Sequence, residues 1–435
     1  MTKARDLANL LDATGDVKSS ALDNVPASND ASALTTGTID NARISLDANE
    51  IPNLDTAKIT TGTFSDARLP STALNSNVSV PNQSAFKNII INGDMSIAQR
   101  STSETGITGA GYKTLDRFRL GGSVPGTWTW SQSTDVPSGQ GFAKSMKLEC
   151  TTTGSAATMY FQHKMEGQNL QYLKKGTSSA ESTTLSFWVK SAKTGTYIAM
   201  LLDNDNTRHI SKSYTISSAD TWEKKEITFA GDTSGAFDND NGASLEIYFW
   251  LSANTNNSSG TLATSWASTV SANNAVGQVN LADSTSNNFY ITGVQLEAGT
   301  SASDFEFLPL DVNLQRCQRY FYVFGDRRTS GAFPIVENRS IGLGVTHYIN
   351  QCVVSIPMKV NMRTSPSIDQ VSGTDFYDYY HGQASDTFDS FNGISSTGEA
   401  QQIIRNTNQI SASLNDCGIV YINGTDAYTA FDSEL

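Results

Sequence analysis

Four histidines occur in the chain, His163, His209, His347 and His381, and none stands in an HExxH pattern or beside a cysteine at ligand spacing. They read as surface or core histidines, not as metal ligands. No GxSxG, P-loop or dinucleotide fingerprint has a suitable strand and helix around it. Glycoside hydrolysis needs two carboxylates about 5–10 Å apart across a sugar site. Asp375, Asp378, Asp386 and Asp389 lie close in sequence, interleaved with Phe376, Tyr377, Tyr379 and Tyr380, a set able to flank a saccharide. The plainer reading is a solvated loop whose aromatics fold back on the protein, so no catalytic residue is assigned.

Sugar recognition without bond cleavage fits the residues better. Aromatic rings stack on the apolar face of a pyranose while Asn, Asp and Gln bond its hydroxyls, which gives weak binding at each site. "TWTWS" sets Trp128 and Trp130 on one side of a strand. With Tyr377, Tyr379 and Tyr380 they are the candidate ligand-binding residues, and Tyr160, Trp250 and Trp266 are further ones. Any of these rings also suits the core of a sandwich.

The elements that must position these rings are unevenly distributed over the 435 residues. A net charge of −13 and a pI near 4.8 argue against nucleic acid or an anionic membrane surface as partner. Cys150, Cys317, Cys352 and Cys417 lie far apart and form no CxxC pair, so free thiols are expected. The start, "MTKARDLANLLDATGD", has no continuous apolar core of signal-peptide length, and no apolar run is long enough to span a bilayer.

The first aromatic residue is Phe64 and the next Phe86, so the first eighty-odd residues lack the side chains that dominate burial. They open on an amphipathic helix predicted over Thr2–Thr14, with Ala4, Leu7, Ala8 and Leu11 on one face and Gly15 at its stop. "LTTGTIDNARI" (Leu34 to Ile44) then returns as "ITTGTFSDARL" (Ile59 to Leu69), with apolar residues about every five positions, a period of neither helix nor strand. Two readings fit: a shaft of several chains that share an interior, or a Ser/Thr/Asp-rich linker.

After Ser84 the style changes. "FKNIIINGDMSI" (Phe86 to Ile97) predicts a strand, a turn and a second strand. "KSMKLECTTT", "MYFQHKM", "TTLSFWVKSA", "TYIAMLLDN", "WEKKEITFAG", "SLEIYFWLSA" and "NFYITGVQLEAG" follow, rich in Val, Ile, Phe, Tyr and Trp and separated by turn residues. They predict an all-β sandwich of the jelly-roll type. From about Leu310, "DVNLQRCQRYFYVF" predicts a short helix running into a strand. More strands complete a smaller β-sandwich of roughly 120 residues, with "GTDFYDYYHGQASDTFDSFNG" as a long polar and aromatic loop.

In this order, "MTKARDLANLL", "TTGTIDNARI", "TTGTFSDARLP", "NIIINGDMSIAQR...YKTLDRF" and "FYITGVQLEAGTSASDFEFLPLDVNLQRCQRYF" resemble bacteriophage tail fibres of the marine-phage type, which carry a carbohydrate-binding-module-like jelly roll. The resemblance covers nearly the whole chain. It implies a homotrimer in the virion, as a tail fibre. The N-terminus, through Leu7, Leu10 and Leu11, would dock on tail adaptor or nozzle proteins, and the distal part would meet a host surface glycan. It divides the chain into an anchoring segment 1–30, a shaft 31–85, a jelly roll 86–310 and a distal β domain 311–435. Related modules often hold calcium at carboxylates near the first and last strands. Here Asp94 stands at the first position but Thr292 and Gly293 at the last, so neither metal nor cofactor is assigned. A tailspike-like depolymerase, or a connector fibre carrying a separate receptor-binding protein, are the alternatives.

Overall fold

A computed structural model describes residues 86–328, 339–382, 384–396 and 401–435, with Leu11, Ala13 and Thr14. The chain divides into two units, Met1–Val78 and Ser79–Leu435. In the first, Leu11 is half-buried in an isolated β-bridge and Ala13 and Thr14 lie in a turn, so the helix predicted over Thr2–Thr14 does not reach its expected end. A helix that short is marginal without a packing partner. The rest of that helix, Leu7 and Leu10, and the repeated phrase lie outside the described residues.

The second unit is almost all β. One six-stranded antiparallel sheet runs β1 (Ser103–Ile107), β3 (Thr127–Ser133), β4 (Ser145–Thr152), β12 (Asn288–Ala298), β6 (Thr183–Ser191), β9 (Glu223–Phe229). A second six-stranded sheet runs β11 (Ala267–Ser268), β8 (Arg208–Ile216), β7 (Gly195–Asp203), β10 (Ala243–Ser252), β5 (Met159–Glu166), β2 (Phe118–Gly122). Period-2 alternation sends one side of each strand into the common interior. Trp130 of the first sheet meets Phe161 of the second edge-on at 5.6 Å between centroids, and Phe187 meets Phe249 at 5.1 Å. Aromatic pairs thus hold the two sheets of the jelly roll together.

The segment Phe86 to Ile97 departs from expectation. It forms a turn at Ile91–Asp94 with no strand on either side. Two side-chain amides replace the ladder. Asn88 Oδ1 accepts from Ile90 N (3.0 Å) and Leu296 N (3.1 Å), and its Nδ2 donates to Val294 O (3.0 Å). Asn92, at a positive φ of 62° that asparagine tolerates, accepts from Ile97 N and donates to Ile97 O and Asp116 O.

Helix α1 (Leu310–Gln318) then leads into the distal sandwich. Its three-stranded sheet is β13 (Phe321–Asp326), β22 (Tyr428–Asp432), β16 (Ser367–Gln370). Its seven-stranded sheet is β18 (Ala384–Phe388), β17 (Tyr377–His381), β21 (Cys417–Ile422), β14 (Ser340–Tyr348), β15 (Gln351–Pro357), β20 (Gln401–Thr407), β19 (Gly393–Ser396). The predicted long loop is therefore mostly a β17/β18 hairpin, turning at Gly382 (φ +54°). Tyr377, Tyr379 and Phe388 point inward and supply the apolar side that its many aspartates obscure.

Arginines, two of them buried and two partly exposed, join the two sandwiches. Arg117, 0% exposed, ion-pairs with Glu434, donates to Lys164 O (2.7 Å) and lies over the Tyr320 ring at 3.4 Å. Arg100 pairs with Asp432 (3.0 Å) and Glu434 (3.3 Å). Arg363 donates across the junction to Asn241 O (3.2 Å) and, within the distal sandwich, to Ser433 O (2.7 Å) and Glu434 O (3.0 Å). Arg319 grips Glu166 through both nitrogens at 2.8 Å. Ile91, Ile97, Cys317 and Tyr320 pack into an apolar plug at the same junction.

Removing one partner of a buried pair strands the other charge, at about 3–5 kcal/mol. Glu434→Ala should lose about that much stability in denaturant unfolding, whereas Glu181→Ala, which breaks an exposed pair with Lys174, should lose under about 1 kcal/mol. Equal losses would show that the junction is not held electrostatically. Burial also pushes the Asp116 carboxyl up to about 6, against the opposing pull of Arg100 and Gln99. Between about pH 4 and that value the folded chain binds this proton more tightly than the unfolded chain does. The stability it brings is therefore full below about pH 4 and lost as pH rises through about 6. Melting midpoints across this window should fall more steeply for the wild type than for Asp116→Asn.

Candidate functional site

The outward face of the second jelly-roll sheet collects a set of side chains that no short stretch of sequence contains. Along β10 the odd positions Leu245, Ile247, Phe249 and Leu251 enter the core, which turns Glu246, Tyr248 and Trp250 outward. Register with β5 sets Trp250 opposite Tyr160, Tyr248 opposite Gln162 and Glu246 opposite Lys164. Register with β2 adds Gly121 beside Tyr160 and Arg119 beside Gln162. The result is an aromatic row next to a polar one.

Gly121 is required by the first row. A Cβ there would stand 2.1 Å from the Tyr160 ring, so glycine lets the ring lie over the neighbouring strand. Tyr160 meets Tyr248 at 4.4 Å and Trp250 at 5.3 Å, both edge-on. Leu262 and Ala275, from the segment that follows β10, pack over Tyr248 and Trp250 and bury them. Tyr160, at the rim, is the ring of this row left partly open.

Glu246 organises the polar row. It accepts from Tyr248 Oη (2.6 Å), Asn204 Nδ2 (2.6 Å) and Gln162 Nε2, and pairs with Lys164 Nζ at 3.4 Å. Burial, reinforced by Glu246, holds the Tyr248 hydroxyl well above the ordinary tyrosine range, so it remains a donor. Arg119 donates to Gln162 Oε1 at 3.3 Å and makes no ion pair among the described residues. Glu166 shares this side of β5. Burial would raise its carboxyl, but hydrogen bonds from Arg319 and Tyr320 outweigh that and keep it ionised. The face therefore offers a partly open ring beside Arg119, with Gln162 and Glu246 buried beneath and bonded to one another.

The residues singled out from sequence lie elsewhere. Trp128 and Trp130 do share one side of β3, but that side is the core, and both are fully buried. Trp128 Nε1 donates to Pro125 O at 2.6 Å. Neither ring presents a face to a ligand. Tyr377 and Tyr379 are buried in the distal core, where their hydroxyls bond Thr429 Oγ1 (2.9 Å) and Asp416 O (2.7 Å). Of that trio Tyr380 alone is outside, 50% exposed. Trp266 covers a core edge, its Nε1 bonded to Ala230 O at 2.7 Å. Sequence reasoning did name Tyr160 and Trp250 but missed Arg119, Gln162, Tyr248 and Glu246. The available signal was β10 itself, apolar or aromatic on both sides and so covered on both.

At the position where the sequence resemblance implies a calcium ligand, the Asp94 carboxylate accepts from Ser96 Oγ (3.0 Å) and Asn313 Nδ2 (3.1 Å). Across from it, Thr292 Oγ1 donates to Lys144 O (2.8 Å) at a bulge in β12. A single carboxylate already bonded by protein donors does not fit a calcium cage. Among the described residues no group of three His, Cys, Asp or Glu side chains converges as a metal site.

No family model matches the chain, and no curated protein matches it. Among solved structures it is similar to the enzymatically active domain of bacteriophage CBA120 tailspike protein 4, at 18% identity and a TM-score of 0.27, over 49% of this chain. That match spans 22% of the tailspike chain. It is similar also to TmCBM61, solved in complex with β-1,4-galactotriose, at 11% identity and a TM-score of 0.27, over 49% of this chain and 99% of that one. A third is the family 11 carbohydrate-binding module from Clostridium thermocellum, at 14% identity and a TM-score of 0.25, over 46% of this chain and 98% of that one. These likenesses are loose, and the ligands in them belong to those proteins.

Proposed function

We propose that the chain is a non-enzymatic adhesion protein of the phage tail-fibre kind, part of the virion, that attaches to a host surface polysaccharide or lipopolysaccharide. The observation that carries the binding is the partly open Tyr160 ring beside Arg119, Gln162, Lys164 and Glu246. A pyranose stacked on that ring would bring its hydroxyls to Arg119, whose orientation the buried Gln162–Glu246 pair beneath it supports. Each such contact is weak, and presenting several copies on one fibre raises the effective concentration of every site after the first has bound.

Assembly of copies has support of its own. The repeated phrase in residues 34–69 spaces apolar residues that a single chain cannot bury. On the outer face of the seven-stranded distal sheet, Tyr380, Ile419 and Leu343 stand side by side by register, 50%, 37% and 75% exposed. The row carries no charge. In a chain of net charge −13, an uncharged apolar row is where a second copy of the same chain can touch without opposing like charges. A homotrimer docked to tail proteins through its N-terminal segment is the assembly that the order of sequence motifs favours.

Two experiments test this reading. On an array of host-type surface glycans, Tyr160→Ala should lower retention of the full chain at least about tenfold, equivalent to about 1.4 kcal/mol. Trp266→Phe should leave retention unchanged, and release of reducing ends from any retained glycan would favour hydrolysis over adhesion. Light scattering of the full chain should give a trimer mass that Leu343→Asp lowers. A monomeric wild type would sink the multivalent mechanism.

A further inference from the structure

We propose that the cavity beneath the jelly roll, where β5 meets α1, is an anion subsite that takes the carboxylate of an acidic sugar unit. The cavity measures ≈ 230 Å³ and is lined by Phe86, Asn88, His163, Lys164 and Arg316, among others. It is small beside the roughly 300–1,000 Å³ of ordinary ligand pockets, a size for one charged group and its ring rather than an oligosaccharide.

Arg316 carries five guanidinium N–H groups, and its hydrogen bond to the protein is a 3.5 Å contact from Nη2 to Asn88 O. Among the described residues no carboxylate lies within ion-pair distance of it. His163 lines the same wall; its Nε2 accepts from Ile91 N–H at 3.2 Å, which places the ring proton on the buried Nδ1. Burial first, then the neighbouring Arg117 and Arg316, keeps the imidazole neutral. Glu306 is the carboxylate whose charge reaches Arg316, without an ion pair, and its Oε2 accepts from Asn88 N–H at 2.9 Å; Glu166 binds Arg319 with both oxygens.

A guanidinium with one long hydrogen bond and no ion-pair partner among the described residues matches a ligand that only accepts, and a planar carboxylate suits its fork. Arg319 is matched by Glu166 and Lys164 by Glu246, which leaves Arg316 as the cation of this wall without an ion-pair partner among the described residues. Choosing a sugar to carry the anion rests on the glycan-binding reading above; the anion site itself does not.

The test is calorimetric titration of the full wild-type chain with D-glucuronate, D-glucose and inorganic phosphate. Saturable glucuronate binding, with no binding of glucose at the same concentration, is expected, and phosphate should compete for the site. Arg316→Gln should weaken glucuronate at least about tenfold, while Tyr160→Ala should leave it unchanged. If Arg316→Gln fails to fold by near-ultraviolet circular dichroism, Arg316→Lys replaces it, keeping the charge and losing the fork, with an intermediate loss expected. Absence of saturable glucuronate binding, or equal affinity in the arginine variants, overturns the site. Phosphate binding without glucuronate overturns the choice of carboxylate. Either failure leaves the Tyr160 face to stand or fall on its own glycan retention.

Discussion

Arg117 has no route to water, and the rest of the second unit is arranged around that fact. A guanidinium with 0% exposure must find its counter-charge inside the protein, and it finds it in Glu434, next to last in the chain. The end of the distal sandwich is thereby drawn against the jelly roll. Arg100 and Arg363 fasten the same terminal residues through side-chain and backbone oxygens. Desolvating so many ions is costly, and replacing such pairs with well-packed apolar residues is often neutral or better for stability. What the clamp supplies is geometry: guanidinium forks donate to oxygens in few directions, so the sandwiches meet in one orientation.

That fixed orientation gives the second jelly-roll sheet two roles. Its inner side is ordinary core, aromatic against aromatic. Its outer side would be solvent-washed in a simple antiparallel sandwich, yet β10 is buried along almost its whole length. The segment after β10 covers Tyr248 and Trp250, and the polar row around Glu246 fills the space toward Arg319 and the junction. Tyr160 stays partly open where the covering segment ends. The site is thus a gap at the edge of a covered face, on strands instead of loops, with its ring seated by Gly121.

The all-β class was legible because strand-period runs rich in Val, Ile, Phe, Tyr and Trp have few competing structures. Errors arose where side chains did the work of backbone. Phe86 to Ile97 looks like a hairpin because Ile89, Ile90 and Ile91 are strand formers, but Asn88 and Asn92 meet their backbone partners in place of a ladder. Asp375 to Phe391 looks like loop because aspartates outnumber the inward Tyr377, Tyr379 and Phe388. Period 2 put Trp128 and Trp130 correctly on one side, yet period alone does not say which side is inside. The Tyr160 site was mostly hidden because its members come from three strands that only register aligns. Arg117 and Glu434, 317 residues apart, left no local trace at all.

The adhesion proposed above would place a mechanical demand on such an arrangement that soluble sugar binding does not. A fibre held at one end and bound at the other would transmit load through every junction between them, and a linker at this junction would let the distal sandwich swing and spoil simultaneous engagement by neighbouring copies. Charged groups exposed to solvent would weaken with salt. Arg117, Glu434 and Glu166 are screened much less, since their side chains are buried to 5% exposure or below. The junction therefore keeps its geometry across ionic conditions in which exposed pairs such as Lys174–Glu181 are weakened. Because α1 and β5 also wall the cavity at this junction, the acids committed to Arg117, Arg100 and Arg319 leave Arg316 with one long hydrogen bond to Asn88 O and no ion pair among the described residues.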